Sequence, residues 1–146
     1  MTTMTAAPAD LQEFLVDLHG RLEGHATRSE TEAFLRLWSH SPDASIMAAV
    51  GGHHIGYEQV ANLLMWVSAQ VTFDTYVPHM LIVQAHGDLA FSVELEEYTN
   101  RAAEQQMTLR ATQVYRREEG AWRILHRHAE ELTPVADLSG RRFVGR

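Results

Sequence analysis

The chain contains no cysteine and no lysine. The first absence excludes disulfides and thiol chemistry, and it leaves the redox compartment unreadable from cysteine usage. The second makes arginine the source of all 12 basic side chains, against 19 acidic ones, for a formal charge of −7. That acidic balance argues against a general nucleic-acid surface. Long apolar runs are missing as well: none approaches the roughly 18 residues needed to span a bilayer. The opening MTTMTAAPAD lacks the basic and apolar regions of a signal peptide. The expectation is a cytoplasmic protein with neither nucleic acid nor a membrane as partner. What is present is 146 residues, 45% of them hydrophobic, with nine histidines. This is enough for one domain that buries most of its apolar surface without a staple.

Residues 1–9 read as a flexible leader, 10–131 as the domain and 132–146 as a tail that loses periodicity. Asp10 is placed to cap a first helix, in which Leu11, Phe14, Leu15, Leu18 and Leu22 form an amphipathic stripe closing near Gly24. Ser29 and Glu32 have the form of a capping box for a second short helix carrying Phe34, Leu37 and Trp38. The Ser41-Pro42 step ends it, and a short strand, Ala44 to Val50, follows. Gly51, Gly52 and Gly56 bracket His53 and His54 in a loop leading to a third helix, Tyr57 to about Ala69, with Val60, Leu63, Leu64 and Val67 as its buried stripe. From Val71 the period becomes alternating. Pro78 marks an edge strand or a bulge, residues 86–88 turn the chain, and Leu89 to Tyr98 forms the next strand. Helices early and about four long antiparallel strands late give an α+β fold. In it three N-terminal helices pack on a strongly bent, mostly antiparallel sheet, leaving a cone with a pocket at its open end.

The concentrated polar chemistry lies in TLRATQVYRREEGAWRILHRHAE, Thr108 to Glu130. Two β-rich runs flank a Glu-Glu-Gly turn, a hairpin signal. Strict alternation places Trp122, Ile124, His126 and His128 on one face. A three-residue turn with Gly120 in the bulge position sets Thr112 opposite His126 and Arg110 opposite His128. A two-residue turn at Glu119 and Gly120 sets Gln113 and Ala111 there instead. The first is preferred because it joins the polar groups into a satisfiable set.

The element order, the Gly-Asp-Leu-Ala-Phe at 87–91 and the sequence LRATQVYRREEGAWRILHRHAE resemble the SnoaL-like branch of the nuclear transport factor 2-like superfamily. The hairpin also resembles the association domain of calcium/calmodulin-dependent protein kinase II. The resemblance covers roughly residues 10–131. It implies a cone-shaped α+β barrel, a homodimer formed through the sheet, and a small-molecule pocket between sheet and helices. It does not imply one reaction, because the fold hosts isomerases, dehydratases, cyclases and non-catalytic assembly domains.

The expected ligand is a small organic carboxylate or carbonyl compound. The expected chemistry is cofactor-free proton transfer, as in an isomerase, dehydratase or cyclase. His126 or His128 serves as acid/base and Arg110 as carboxylate or oxyanion partner. Thr112, Trp38, Trp122, Glu94 and His54 are the expected ligand contacts, with Glu94 as a raised-pKa base or a counter-ion for Arg110. Three alternatives stay open. The histidines are structural; or they chelate a metal with His53, His54 or Glu94; or the domain is a non-catalytic binding or assembly module.

Overall fold

The leucine stripe of the first helix seats it on the sheet. In a computed structural model, which describes residues 7–140, α1 (Ala9–Arg28) buries Leu11, Leu15, Leu18 and Leu22, and Phe14 meets Tyr115 edge-on at 5.6 Å. The helix does not close near Gly24. It runs one turn further, to Arg28, and the Glu30 amide closes it by donating to the Gly24 carbonyl at 3.0 Å. It ends at Ser29, which is left-handed at φ 55°. Ser29 is therefore not free to open a capping box. Its hydroxyl bonds the Ser68 carbonyl instead, and α2 (Thr31–Leu35) starts without a side-chain cap. Asp10 is likewise no cap: Pro8 holds that position, and Asp10, in the first turn, pairs with Arg117.

β1 (Ser45–Met47) is shorter than expected, and β2 (His54–Ile55) forms inside the expected glycine loop. α3 (Tyr57–Gln70) buries Val60, Leu63 and Leu64. The strand expected from Val71 begins later, because Val71 caps α3 and the Phe73 amide bonds Ala26 of α1. Four long strands follow: β3 (Thr75–His86), β4 (Leu89–Asn100), β5 (Gln105–Glu118) and β6 (Ala121–Glu131). The sheet order is β2-β1-β6-β5-β4-β3. Only β1 and β6 run parallel; the other neighbours are antiparallel. The sheet stays open, with β2 and β3 as its edges. Pro78 sits on edge strand β3, three residues before a bulge at Leu81, where its missing N–H removes no ladder bond from the interior.

One face of the sheet lies under the helices. Ser92, Glu94, Glu96 and Tyr98 of β4 alternate onto it, as do Leu109, Ala111, Gln113 and Tyr115 of β5. β6 joins with Trp122 and Ile124, then skips: Leu125 has no partner on β5, so Tyr115 faces Ile124 while Val114 faces His126. This β-bulge reverses the alternation, and the next interior residues are Arg127 and Ala129. The β5–β6 turn is the two-residue form, with Glu119 at φ 51° and Gly120 at φ 81°. Neither anticipated register is the observed one, since the turn starts the shorter pairing and the bulge then moves it by one. Residues 1–6 of the expected leader and 141–146 of the expected tail lie outside the described residues. Among the described residues no helix is long and apolar enough to cross a membrane.

Candidate functional site

Between the helices and the inner face of the sheet lies a cavity of about 130 Å³. Leu22, Ala26 and Phe34 close it from α1 and α2, Leu64 and Val67 from α3, and Ile46, Leu109 and Ala129 from the sheet. Its polar side chains are few: His25, Ser68, Tyr98 and Arg127. Such a surface, apolar with a few convergent polar groups, is the usual make-up of a small-molecule site.

Arg127 is 6% exposed and would be a costly buried charge without a partner. Glu96, fully buried on the same inner face two strands away on β4, supplies one in fork geometry, at 2.9 Å from Nη1 and 2.6 Å from Nη2. Tyr98 donates a third hydrogen bond to the same carboxylate at 2.7 Å. Burial alone raises the Glu96 carboxyl, but the Arg127 charge and these hydrogen bonds overcome it and hold the group below its ordinary range. Burial, and then the Glu96 charge, push the Tyr98 hydroxyl well above its ordinary range, so it stays a donor.

His25 occupies the α1 position one turn beyond Leu22. Its Nδ1 meets the Thr31 hydroxyl at 2.9 Å, and its ring stacks on Phe34 at 5.5 Å. Burial first, and the charge of Arg127 second, lower it to about 4. At neutral pH it is an uncharged imidazole with one nitrogen fixed.

A second buried polar row continues along β4 and β5. Glu94 meets His19 Nε2 at 3.1 Å and accepts from Ser92 at 3.2 Å. Ser92 reaches the Tyr115 hydroxyl at 2.6 Å, which also accepts from Gln113 at 3.2 Å.

The expected site residues divide between the two faces. Trp38, Trp122 and Glu94 are inside. Trp38 packs edge-on against Phe34 at 6.2 Å and Trp122 lies under the Arg117 guanidinium at 4.5 Å; neither lines the cavity. Arg110, Thr112, His126 and His128 do share a face, with Thr112 opposite His128, but it is the outer one. Arg110 and Thr112 are outside by the alternation of β5, and the bulge at Leu125 turns His126 and His128 to the same side. His126 bonds the Ser45 hydroxyl at 2.8 Å, and partial burial followed by the neighbouring His128 lowers it. His128 pairs with Glu130 at 2.7 Å. Arg110 cannot serve as counter-ion to Glu94, which faces the other way. His54 lies apart, in a shallow surface hollow with Gln59, Asn62, Leu63 and Trp66. Among the described residues no group of three or more His, Cys, Asp or Glu is placed to hold a metal ion.

His25 was not among the expected site residues, although it continues the buried stripe of α1 three residues after Leu22, the spacing of Leu15 and Leu18. Arg127 had no such signal, because the bulge that turns it inward leaves no mark in the apolar pattern.

Comparison with known proteins bears on the fold. No curated protein matches the chain. Similar solved structures include a putative calcium/calmodulin-dependent protein kinase type II association domain from Thiobacillus denitrificans, with TM-score 0.71 and 17% identity over 82% of this chain and 93% of that one. A ketosteroid isomerase-like protein from Erwinia carotovora atroseptica has TM-score 0.70 and 18% identity over 86% and 96%. A putative dehydratase of the NTF2-like family from Streptomyces avermitilis has TM-score 0.69 and 16% identity over 85% and 94%. At these identities the likeness is one of fold. A family model matches most of the chain, from residue 19 to residue 130, and the chain accordingly belongs to the SnoaL-like domain family.

Proposed function

We propose that the cavity binds a small, neutral, mostly apolar organic molecule carrying one carbonyl or hydroxyl group, and that it supports cofactor-free proton transfer of the isomerase or dehydratase kind. The observation that carries this reading is the composition of the lining. Arg127, its charge matched by Glu96 behind it, the Tyr98 hydroxyl, Ser68 and a neutral His25 are the polar side chains around an otherwise apolar space of about 130 Å³. That is slightly below the roughly 150 Å³ engineered cavity that takes up benzene in another protein, so a single ring fits. The expectation of a carboxylate or a carbonyl narrows to the carbonyl, because Arg127 is already neutralised and a further anion would enter without compensation. The acid/base role passes from His126 and His128 to His25, which faces the space. The ketosteroid isomerase-like and putative dehydratase structures support this class of chemistry by fold alone.

Acetophenone is a suitable probe. In a ¹H–¹⁵N NMR titration the expected result is saturable binding, with shifts concentrated at His25, Tyr98, Arg127 and Ala129. Shifts confined to the outer face, or no saturation, would overturn the proposal and favour a non-catalytic assembly module.

We further propose a homodimer through the outer face of the sheet. Phe91, Val93 and Leu95 of β4 and Val114 of β5 form a half-exposed apolar band there, beside exposed Val77 and Ile82 on β3. Leu95→Lys leaves the inner face untouched and is expected to halve the mass seen by light scattering. An unchanged mass would refute the dimer.

A further inference from the structure

His25 and Thr31 decide between them which imidazole nitrogen carries the proton. The Thr31 hydroxyl lies 2.9 Å from Nδ1 and has no other hydrogen-bond partner among the described residues, in a side chain that is buried. A neutral imidazole donates through one nitrogen and accepts through the other, and a hydroxyl has a single proton to give. If Nδ1 donated, the Thr31 proton would be left buried without an acceptor. If Thr31 donates to Nδ1, one bond satisfies both groups, which is the arrangement that buried polar atoms adopt. The ring proton then sits on Nε2.

Nε2 is the nitrogen left for a ligand. It has no partner among the described residues and is not sealed in the interior, and His25 lines the cavity. The other neutral donors of the lining are already spent: Tyr98 gives its proton to Glu96 at 2.7 Å, and Ser68 gives its own to the Met65 carbonyl at 3.0 Å. Arg127 keeps N–H groups beyond the two that Glu96 holds, so it is the rival donor. Burial, and then the charge of Arg127, hold His25 down to about 4. Near neutrality the ring therefore offers one N–H and no charge.

We infer that Thr31 is a positioning residue: by donating to Nδ1 it fixes His25 as an Nε2–H donor, so that a carbonyl oxygen, an acceptor with no proton of its own, is the polar group the cavity selects. This rests on the cavity being a ligand site, and it narrows the ligand from a carbonyl or hydroxyl compound to a carbonyl one. It also gives His25 one side of the acid/base role. An Nε2 that already bears a proton does not take one from the ligand; it hydrogen-bonds the carbonyl oxygen, where an enolising ligand gathers negative charge. Binding in this mode makes and breaks no covalent bond.

The tautomer is read in the free protein from the imidazole ¹⁵N resonances of labelled histidine near neutral pH. The expected spectrum has a protonated Nε2 and an unprotonated Nδ1 at His25. Thr31→Ser should preserve it, whereas Thr31→Val should move both nitrogens toward averaged positions as the two tautomers mix. Donation to the ligand is read with carbonyl-labelled acetophenone, whose C=O stretch should lie lower when bound to the wild type or Thr31→Ser than when bound to His25→Phe. The affinity for acetophenone relative to its isostere α-methylstyrene, which has no oxygen, should fall about three- to tenfold in His25→Phe, the worth of one neutral hydrogen bond. An unprotonated Nε2 in the wild type would overturn the inference, and that spectrum decides it even if Thr31→Val folds poorly. A fixed tautomer that survives in Thr31→Val would remove the role of Thr31. A carbonyl stretch and an affinity ratio unchanged in His25→Phe would assign the oxygen to Arg127, overturning the inference while leaving the ligand site standing. Binding of neither probe would overturn the site and the inference with it.

Discussion

Lowering the pH from 7 to 5 is expected to destabilise the protein by about 2 kcal/mol through His25 alone. The imidazole has an ordinary value of 6.5 and is held at about 4 in the folded chain. A group lowered on folding binds fewer protons in the native state than in the unfolded one between those two values, so stability falls as the pH drops through that window. From 6.5 to 5 the difference is 1.5 pH units, or about 2 kcal/mol at roughly 1.36 kcal/mol per unit. That is a large part of the ~5–15 kcal/mol that stabilises a typical domain. His25→Phe keeps a ring against Phe34 and removes the titration, while leaving the Thr31 hydroxyl without its partner at about 1 kcal/mol. The assay is urea unfolding of both proteins at several values between pH 7 and 5. The wild type should lose about 2 kcal/mol more than the variant over that range, whatever their difference at pH 7. Parallel profiles would refute the claim that burial beside Arg127 holds this histidine neutral.

Three further outcomes follow from the same structure. Removing either partner of the Arg127–Glu96 pair, by Arg127→Met or Glu96→Gln, should cost about 3–5 kcal/mol, whereas the double variant should recover most of it; purely additive losses in thermal or urea unfolding would contradict the pairing. Glu119→Asn, at the left-handed turn position before Gly120, should stabilise by about 0.5–1 kcal/mol, and a loss in the same assay would mean the carboxylate has an unrecognised role. Asp43 is lowered to about 2 chiefly by its hydrogen bond from Arg116, then by that from Ser41. In Arg116→Gln its carboxyl should climb toward 3.8, which a ¹³C NMR titration would follow.

The fold was legible wherever burial follows a simple period. The leucine stripe of α1, the apolar stripe of α3 and the alternation from Ala90 to Tyr98 each place an element and its buried side. Glu94, Glu96 and Tyr98 were thus recognisable as one face, but its full burial was not, because acidic residues at mid-strand more often face water. β1 was legible as a longer strand than it is, whereas β2 left little trace, since two residues are too few to set a period. The faces taken by His126, Arg127 and His128 were not legible, for one local reason. Leu125 is apolar and sits in an apolar-alternating run, so nothing in its chemistry says that it stands outside the ladder. The bonds that hold it there come from far away in the chain: Ile124 exchanges backbone hydrogen bonds with Leu37 and Ser39, and β1 then takes over the same edge at His126.

That single unpaired residue works as a phase selector for the last strand. With Leu125 counted in the ladder, His-x-His would point under the helices and Arg127 outward; with it left out, the chemistry exchanges sides. A relative that lacks the insertion would show the opposite assignment at the same distance from the hairpin glycine, so equivalence between members of this fold is set by position on a face of the sheet and not by position in an alignment. Whether that one residue pairs or bulges decides if Arg127 faces solvent or the interior, with no other residue changed.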